Sequence, residues 1–162
     1  MLCYFDRICD LDIMQLKSVY EESICKLADE FWLQNDQKHL EAEQQFYADL
    51  CEFYSINGAR AAVWKENSMY ISALRIERYK DGFLISSLET LPSVRSHGYA
   101  SKLLKAVVET VGESKVYSHI HKDNIASMKL HKSLGFEIIA DTAILVDGSV
   151  LPGMQTYCYV EK

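Results

Sequence analysis

The run Leu91-Pro92-Ser93-Val94-Arg95-Ser96-His97-Gly98-Tyr99-Ala100 sets a polar turn between an apolar strand and a long helix with an apolar stripe. At a helix start, unpaired N–H groups converge on one spot, and the peptide dipoles add roughly half a positive charge there. Such a mouth suits an anion, above all a pyrophosphate. Gly98 lets the backbone approach a ligand closely, small Ala100 keeps the path open, and Ser101 offers a hydroxyl donor. Arg95 can add charge or brace the turn. Taken alone, R-x-x-G-x-A is a short pattern, and an ordinary capped turn would satisfy it equally well.

A second run follows another strand: N-x-x-S-M-x-x-H-x-x-L-G-F, from Asn124 to Phe136. His131 lies seven residues after Asn124, two helical turns on and on the same face. His119 and His121 alternate along the strand between the two runs and share a face. Two histidines so spaced invite a metal, but no third ligand is visible; a substrate wall, a proton relay or simple packing fits them better. No metal is expected.

These residues need elements to hold them. A strand at about Leu2–Arg7 leads to a helix capped by Asp10 or Asp12, with Ile13, Leu16, Tyr20, Ile24, Leu27 and Phe31 at helical spacing. A second helix runs from about Lys38 to Tyr54; its outer face carries Glu41, Glu43, Asp49 and Glu52 and reads as solvated surface. After the turn signal Asn57-Gly58, residues 60–65, 69–79 and 83–91 read as an antiparallel meander. Ala100, Leu103, Leu104, Val107, Val108 and Val111 form the stripe of a helix ended by Gly112. Residues 115–121 form a fifth strand, Asp123 or Asn124 caps a helix reaching Leu134, and Gly135 stops it. Two strands, near 136–146 and 154–160, close the chain. This order predicts an α/β fold with a mixed sheet.

The two runs, in this order and setting, resemble the ordered motif pair of the GNAT N-acetyltransferase superfamily: strand, P-x-x-R-x-x-G-x-A, helix, strand, N-x-x-[AS]-x-x-x-[YH]-x-x-x-G-F. Residues 82–136 carry the resemblance, and the flanking parts fit in kind and order. It implies a mixed, mostly antiparallel central sheet of six to seven strands with about four helices, formed by residues 1–162 as one N-acetyltransferase domain. It implies acetyl-CoA as co-substrate, with Thr90 and Leu91 pairing with the pantetheine arm through their backbone. Amides across Arg95, Ser96, His97, Gly98, Tyr99 and Ala100, together with Ser101, would cradle the pyrophosphate, and Asn124 and Ser127 would contact the cofactor. The fourth and fifth strands would splay to leave room for the thioester.

The reaction implied is direct attack of a primary amine, of a small molecule or peptide, on the thioester in a ternary complex. It needs no cysteine nucleophile. The base is expected at Glu89, the only carboxylate of the fourth strand, with a satisfied structural carboxylate as the alternative. The acid is expected at His131, where the family usually has tyrosine; cofactor binding, or unassisted thiolate departure, is the alternative. That departure also leaves room for a non-catalytic acyl-CoA-binding regulatory module. Phe31, Trp32, Tyr47, Phe53 and Tyr54 are candidates to line an acceptor pocket, against a plain core role.

Bulk composition narrows the partners. A net charge of −6 argues against wrapping nucleic acid and mildly favours an amine. The 5 cysteines are odd in number and lack C-x-x-C spacing, which suits free thiols in a reducing compartment. No stretch approaches the ~20 apolar residues of a membrane helix, and acidic residues interrupt the start before a signal-peptide core could form. A cytoplasmic protein is expected, with a homodimer as the one assembly considered.

Overall fold

The computed structural model describes residues 1–112 and 114–159. Its main sheet has seven strands in the order β1 (Leu2–Phe5), β2 (Arg60–Glu66), β3 (Met69–Tyr79), β4 (Gly82–Thr90), β5 (Lys115–His121), β9 (Met154–Tyr159), β6 (Glu137–Ala140). Only β4 and β5 run parallel; every other neighbouring pair is antiparallel. The expected mixed, mostly antiparallel α/β sheet is therefore present. The segment near 136–146 is not one strand: β6 stops at Ala140, and β7 (Ala143–Ile144) pairs instead with β8 (Val150–Leu151) in a separate ribbon. The end of the last expected strand, at Val160, lies outside the described residues.

Strand alternation sends side chains to two cores. Ala61, Val63 and Ala73 pack with Leu16, Val19, Ile24, Phe46 and Leu50 of helices α1 (Ile13–Val19), α2 (Glu21–Asp29) and α3 (Asn35–Ser55). On the other face Ala62, Leu74 and Ile85 pack with Leu103, Leu104, Val107 and Val108 of α4 (Tyr99–Val111); α5 (Ile125–Ser133) adds Met128 and Leu130 to that side. Among the described residues, no helix is long and apolar enough to cross a membrane.

The first helix is broken where the sequence shows one continuous stripe, which makes five helices in place of about four. Tyr20 leaves helical geometry at φ −93° and ψ 12°. Its buried side chain reaches the sheet, where the hydroxyl donates to the Ser87 carbonyl at 2.6 Å. Asp12 caps α1 by accepting from the Gln15 N–H, and Asn124 caps α5 by accepting from the Ser127 N–H. Of the capping alternatives, these two are realised.

The parallel pair is held at one end only. Gly82, Phe83, Leu84 and Ile85 register with Lys115, Val116, Tyr117 and Ser118, and pairing then stops. Gly82 sits so close to β5 that an added Cβ would lie 2.0 Å from the Lys115 carbonyl oxygen. Further along, β4 bulges: Ala73 faces Glu89 while Arg75 faces Ser86, and Ser87 takes φ +52°. One extra residue bends β4 away from β5. Gly82→Ala is expected to lower stability by about 1–3 kcal/mol, the usual cost of overpacking a tight contact, and urea unfolding measures it; an unchanged midpoint would show that this approach is not constrained.

Candidate active site

The gap between β4 and β5 opens into a cavity of about 800 Å³, walled by β4, the 92–98 turn, the start of α4, the end of β5 and α5. Of the residues expected to bind or act there, Glu89, Thr90, Arg95, Ser96, Gly98, Tyr99, Ala100, Ser101, Asn124, Ser127 and His131 line it. Leu91 and His97 do not. The Leu91 N–H donates to the Ile71 carbonyl at 2.8 Å, so strand alternation turns the main chain of Thr90 toward the gap. His97 Nδ1 sits 2.8 Å from the Arg95 carbonyl and 3.1 Å from that of Val94, which makes it a donor tying the turn together.

The mouth of α4 is bare. Gly98, its N-cap, has φ +78° and no side chain to cap the first N–H groups. A Cβ built there would meet nothing within 4 Å, so glycine is required by backbone conformation and leaves open space in front of the amides. Ser96 also takes a positive φ, +63°, which turns the approach to the helix sharply.

Arg95 braces this turn. Its Nε donates to the Thr90 carbonyl at 3.1 Å, one Nη donates to Glu22 of α2, and the other lies 3.9 Å from Glu89. Lys26 joins Glu22 at 2.8 Å. Lys26 and Arg95 together hold the Glu22 carboxyl down at about 2.

Glu89 is mostly enclosed, its side chain 19% exposed. One oxygen accepts from the Ser23 hydroxyl. Its backbone is pinned too, since the buried Ser72 hydroxyl donates to the Glu89 carbonyl at 2.6 Å and accepts from Thr90 at 3.0 Å. Burial pushes the Glu89 carboxyl up, and the Ser23 bond and the Arg95 charge only partly oppose it.

His131 is fully buried, with its ring edge-on to Phe136 at 4.9 Å. Nδ1 lies 2.8 Å from the Ser127 carbonyl, which can only accept, so the ring proton resides on Nδ1. Nε2 is buried with no partner. Burial holds the imidazole below its ordinary pKa, although the Ser127 bond pulls the other way. In this form His131 is neutral, and Nε2 can receive a proton but has none to give.

His119 and His121 both line the cavity. His119 stands edge-on to Tyr79 at 5.4 Å with Nε2 buried and unpartnered, and burial lowers its pKa. Neither has a third ligand among the described residues. Among the described residues, the one group with metal-ligand proximity, Glu21, Cys25 and His39 within 4.8 Å, lines no part of the cavity.

A second cavity of about 370 Å³ lies between α2, α3 and the sheet, and it meets the first at Ser23, Ser87 and Glu89. Tyr20, Phe46, Asp49 and Arg75 are among its walls. None of the aromatic residues proposed for an acceptor pocket lines it. Trp32 is fully exposed and Tyr47 half exposed, Phe53 lies in the core, Phe31 packs beside the core, and Tyr54 bonds the Phe5 carbonyl. Sequence spacing could not separate Tyr20 and Phe46 from other core aromatics.

A parallel pair opened over an uncapped helix mouth, with a carboxylate at the junction of two cavities, is the architecture of an acyl-transferring enzyme. The sequence matches the family model described as Acetyltransferase (GNAT) family over residues 22–136, more than two thirds of its length, and the chain belongs to that family. An N-acetyltransferase from Staphylococcus aureus Mu50 is 18% identical, with TM-score 0.62 over 100% of this chain and 99% of its own. The ribosomal-protein-S18-alanine N-acetyltransferase from Escherichia coli is 14% identical, with TM-score 0.63 over 99% and 94%. The IAA acetyltransferase from Bacillus cereus ATCC 14579 is 16% identical, with TM-score 0.57 over 70% and 84%. At these identities the likeness is one of fold. No curated protein sequence matches this chain.

Buried His131 and half-buried His119, both held below the ordinary histidine pKa, link stability to pH. Below about pH 6.5 the unfolded chain takes up protons that folded His119 and His131 resist, so stability should fall as pH drops through that value. The melting temperature measured from pH 8 to 5.5 should decline less in His131→Phe than in wild type. Identical slopes would show that His131 ionises freely in the folded protein.

Proposed function

We propose that the chain transfers an acetyl group from acetyl-CoA to a primary amine of a small molecule or peptide. The observation that carries this reading is the bare mouth of α4 facing the gap between β4 and β5, with Glu89 lining the same gap. The residues present suit coenzyme A. N–H groups of the first turn of α4 and the turn before it would receive the pyrophosphate. Thr90 would pair with the pantetheine arm as an added strand, and Asn124 and Ser127 would border it. Five free cysteines suit a reducing compartment such as the cytoplasm.

Acetyl-CoA supplies the acyl group as an activated thioester. Glu89, raised by burial, takes a proton from the acceptor ammonium, and the neutral nitrogen then attacks the thioester carbon. The β4 bulge takes one residue out of the ladder, which leaves a main-chain N–H to stabilise the oxygen that gains charge. The C–N bond forms, the C–S bond breaks, and the sulfur leaves as thiolate. Among the described residues Tyr99 is the only tyrosine lining the larger cavity, and its hydroxyl donates to Glu66 at 2.8 Å. With His131 neutral and Nε2 bare, the thiolate takes its proton from solvent.

Gly98→Asp should weaken coenzyme A binding by about a hundredfold or more, since it sets a carboxylate before the amide cup; aspartate bears a positive φ better than most residues, a melting curve checks the fold, and calorimetry reads the affinity. Wild-type affinity in a folded variant would place the pyrophosphate elsewhere. Glu89→Gln should cut kcat with an amine by about a hundredfold, the usual scale for losing a general base, and should remove the acidic limb of the pH–rate profile. In wild type that limb should lie above the ordinary carboxylate range. A retained limb would acquit Glu89.

A further inference from the structure

We propose that the acceptor is an amino acid or similar small amine bearing a carboxylate, and that Arg75 in the second cavity binds that carboxylate. This deepens the acetyltransferase reading and rests on it. Among the described residues the Arg75 side chain forms no hydrogen bond and no ion pair, and its Nε is buried without a partner. Its guanidinium lies 5.3 Å from the centre of the Phe53 ring, which supports one flat face and leaves the in-plane donors free. Leaving Nε unpaired away from water is costly, and a planar carboxylate matches the fork in two parallel bonds.

The surroundings favour this ligand. Arg75 and Ala73 point to the same face of β3, and Ala73 is opposite Glu89 on β4, so Arg75 and Glu89 share one sheet face on neighbouring strands. Both line the second cavity. Tyr20 lines the same cavity, and the charges of Arg75 and Glu89 act on its phenol in opposite directions. Of the other acids nearby, Asp49 already accepts from Gln45 at 2.6 Å, and Glu77, two residues along β3, feels the Arg75 charge without forming an ion pair. Neither neutralises the fork. A volume of about 370 Å³ holds a small zwitterion, with its ammonium at Glu89 facing the thioester cavity and its carboxylate at Arg75.

Release of free thiol from acetyl-CoA tests this with matched acceptors: free amino acids, their amides and the corresponding decarboxylated amines. Wild type should favour the acid over its amide and amine by at least about tenfold in kcat/KM, as expected for a site built to pair a polar group. Arg75→Gln should bring that ratio to within about twofold of one, mainly through a raised KM for the acid, while its melting temperature reports the fold. Arg75→Lys, which keeps the charge but not the fork, should fall between the two. It also serves if the glutamine variant does not fold. Wild-type turnover indifferent to the carboxylate, or a preference that survives Arg75→Gln, would overturn the inference and leave acetyl transfer standing. Absence of thiol release with any amine, despite coenzyme A binding, would overturn both.

Discussion

The site depends on one parallel strand pair that is made and then unmade. At Gly82 the β4 and β5 backbones are so close that no side chain fits between them. Three residues on, at Ile85, their ladder ends, and the bulge at Ser87 turns β4 aside. A sheet interior normally satisfies every backbone group; here β4 is left with one edge open inside the protein. The cleft follows from that geometry, and so does the exposure of the α4 mouth at its floor. Tyr20 and Ser72 hold the departure in place, one bonding the Ser87 carbonyl and the other that of Glu89.

Charge in the cleft is arranged by pairing and burial more than by count. Glu22 on α2 is held anionic by Lys26 and Arg95, whereas Glu89 on β4, better enclosed, is pushed toward neutrality. Two carboxylates near one arginine thus have different readiness to carry a proton. His131 follows the same logic with the opposite result. Buried and donating from Nδ1, it stays uncharged in a position where its residue type alone suggested a titrating acid.

What the sequence disclosed depended on local signals. The apolar stripe of α4, the alternation of β3 and the glycine stops after α4 and α5 are local, and those elements appear where periodicity predicts them. The turn at Gly98 and the cap at Asn124 were legible for the same reason. Tyr20 was not, because a tyrosine in register with an apolar stripe gives no hint that its hydroxyl will break the helix to reach β4. Ser87 adopts a positive φ without the glycine that would announce it. Nothing local to β3 marks Arg75, and only the helices folded over that face show that it lines a cavity. Leu91 and His97 belong to the motif, yet their polar groups serve the turn itself. A motif marks a segment; which of its atoms point outward is decided by neighbours far away in the chain.

The ion pair between Arg95 and Glu22 has a wider consequence. Arg95 sits just ahead of α4, and Glu22 sits on α2, beside the second cavity, so one guanidinium fastens the two walls of the cleft to each other. Both side chains are 41% exposed, and an electrolyte weakens such a clasp over the ~8 Å screening length of physiological saline. Rising salt therefore loosens an ion pair that joins the turn before α4 to α2, and low salt strengthens it.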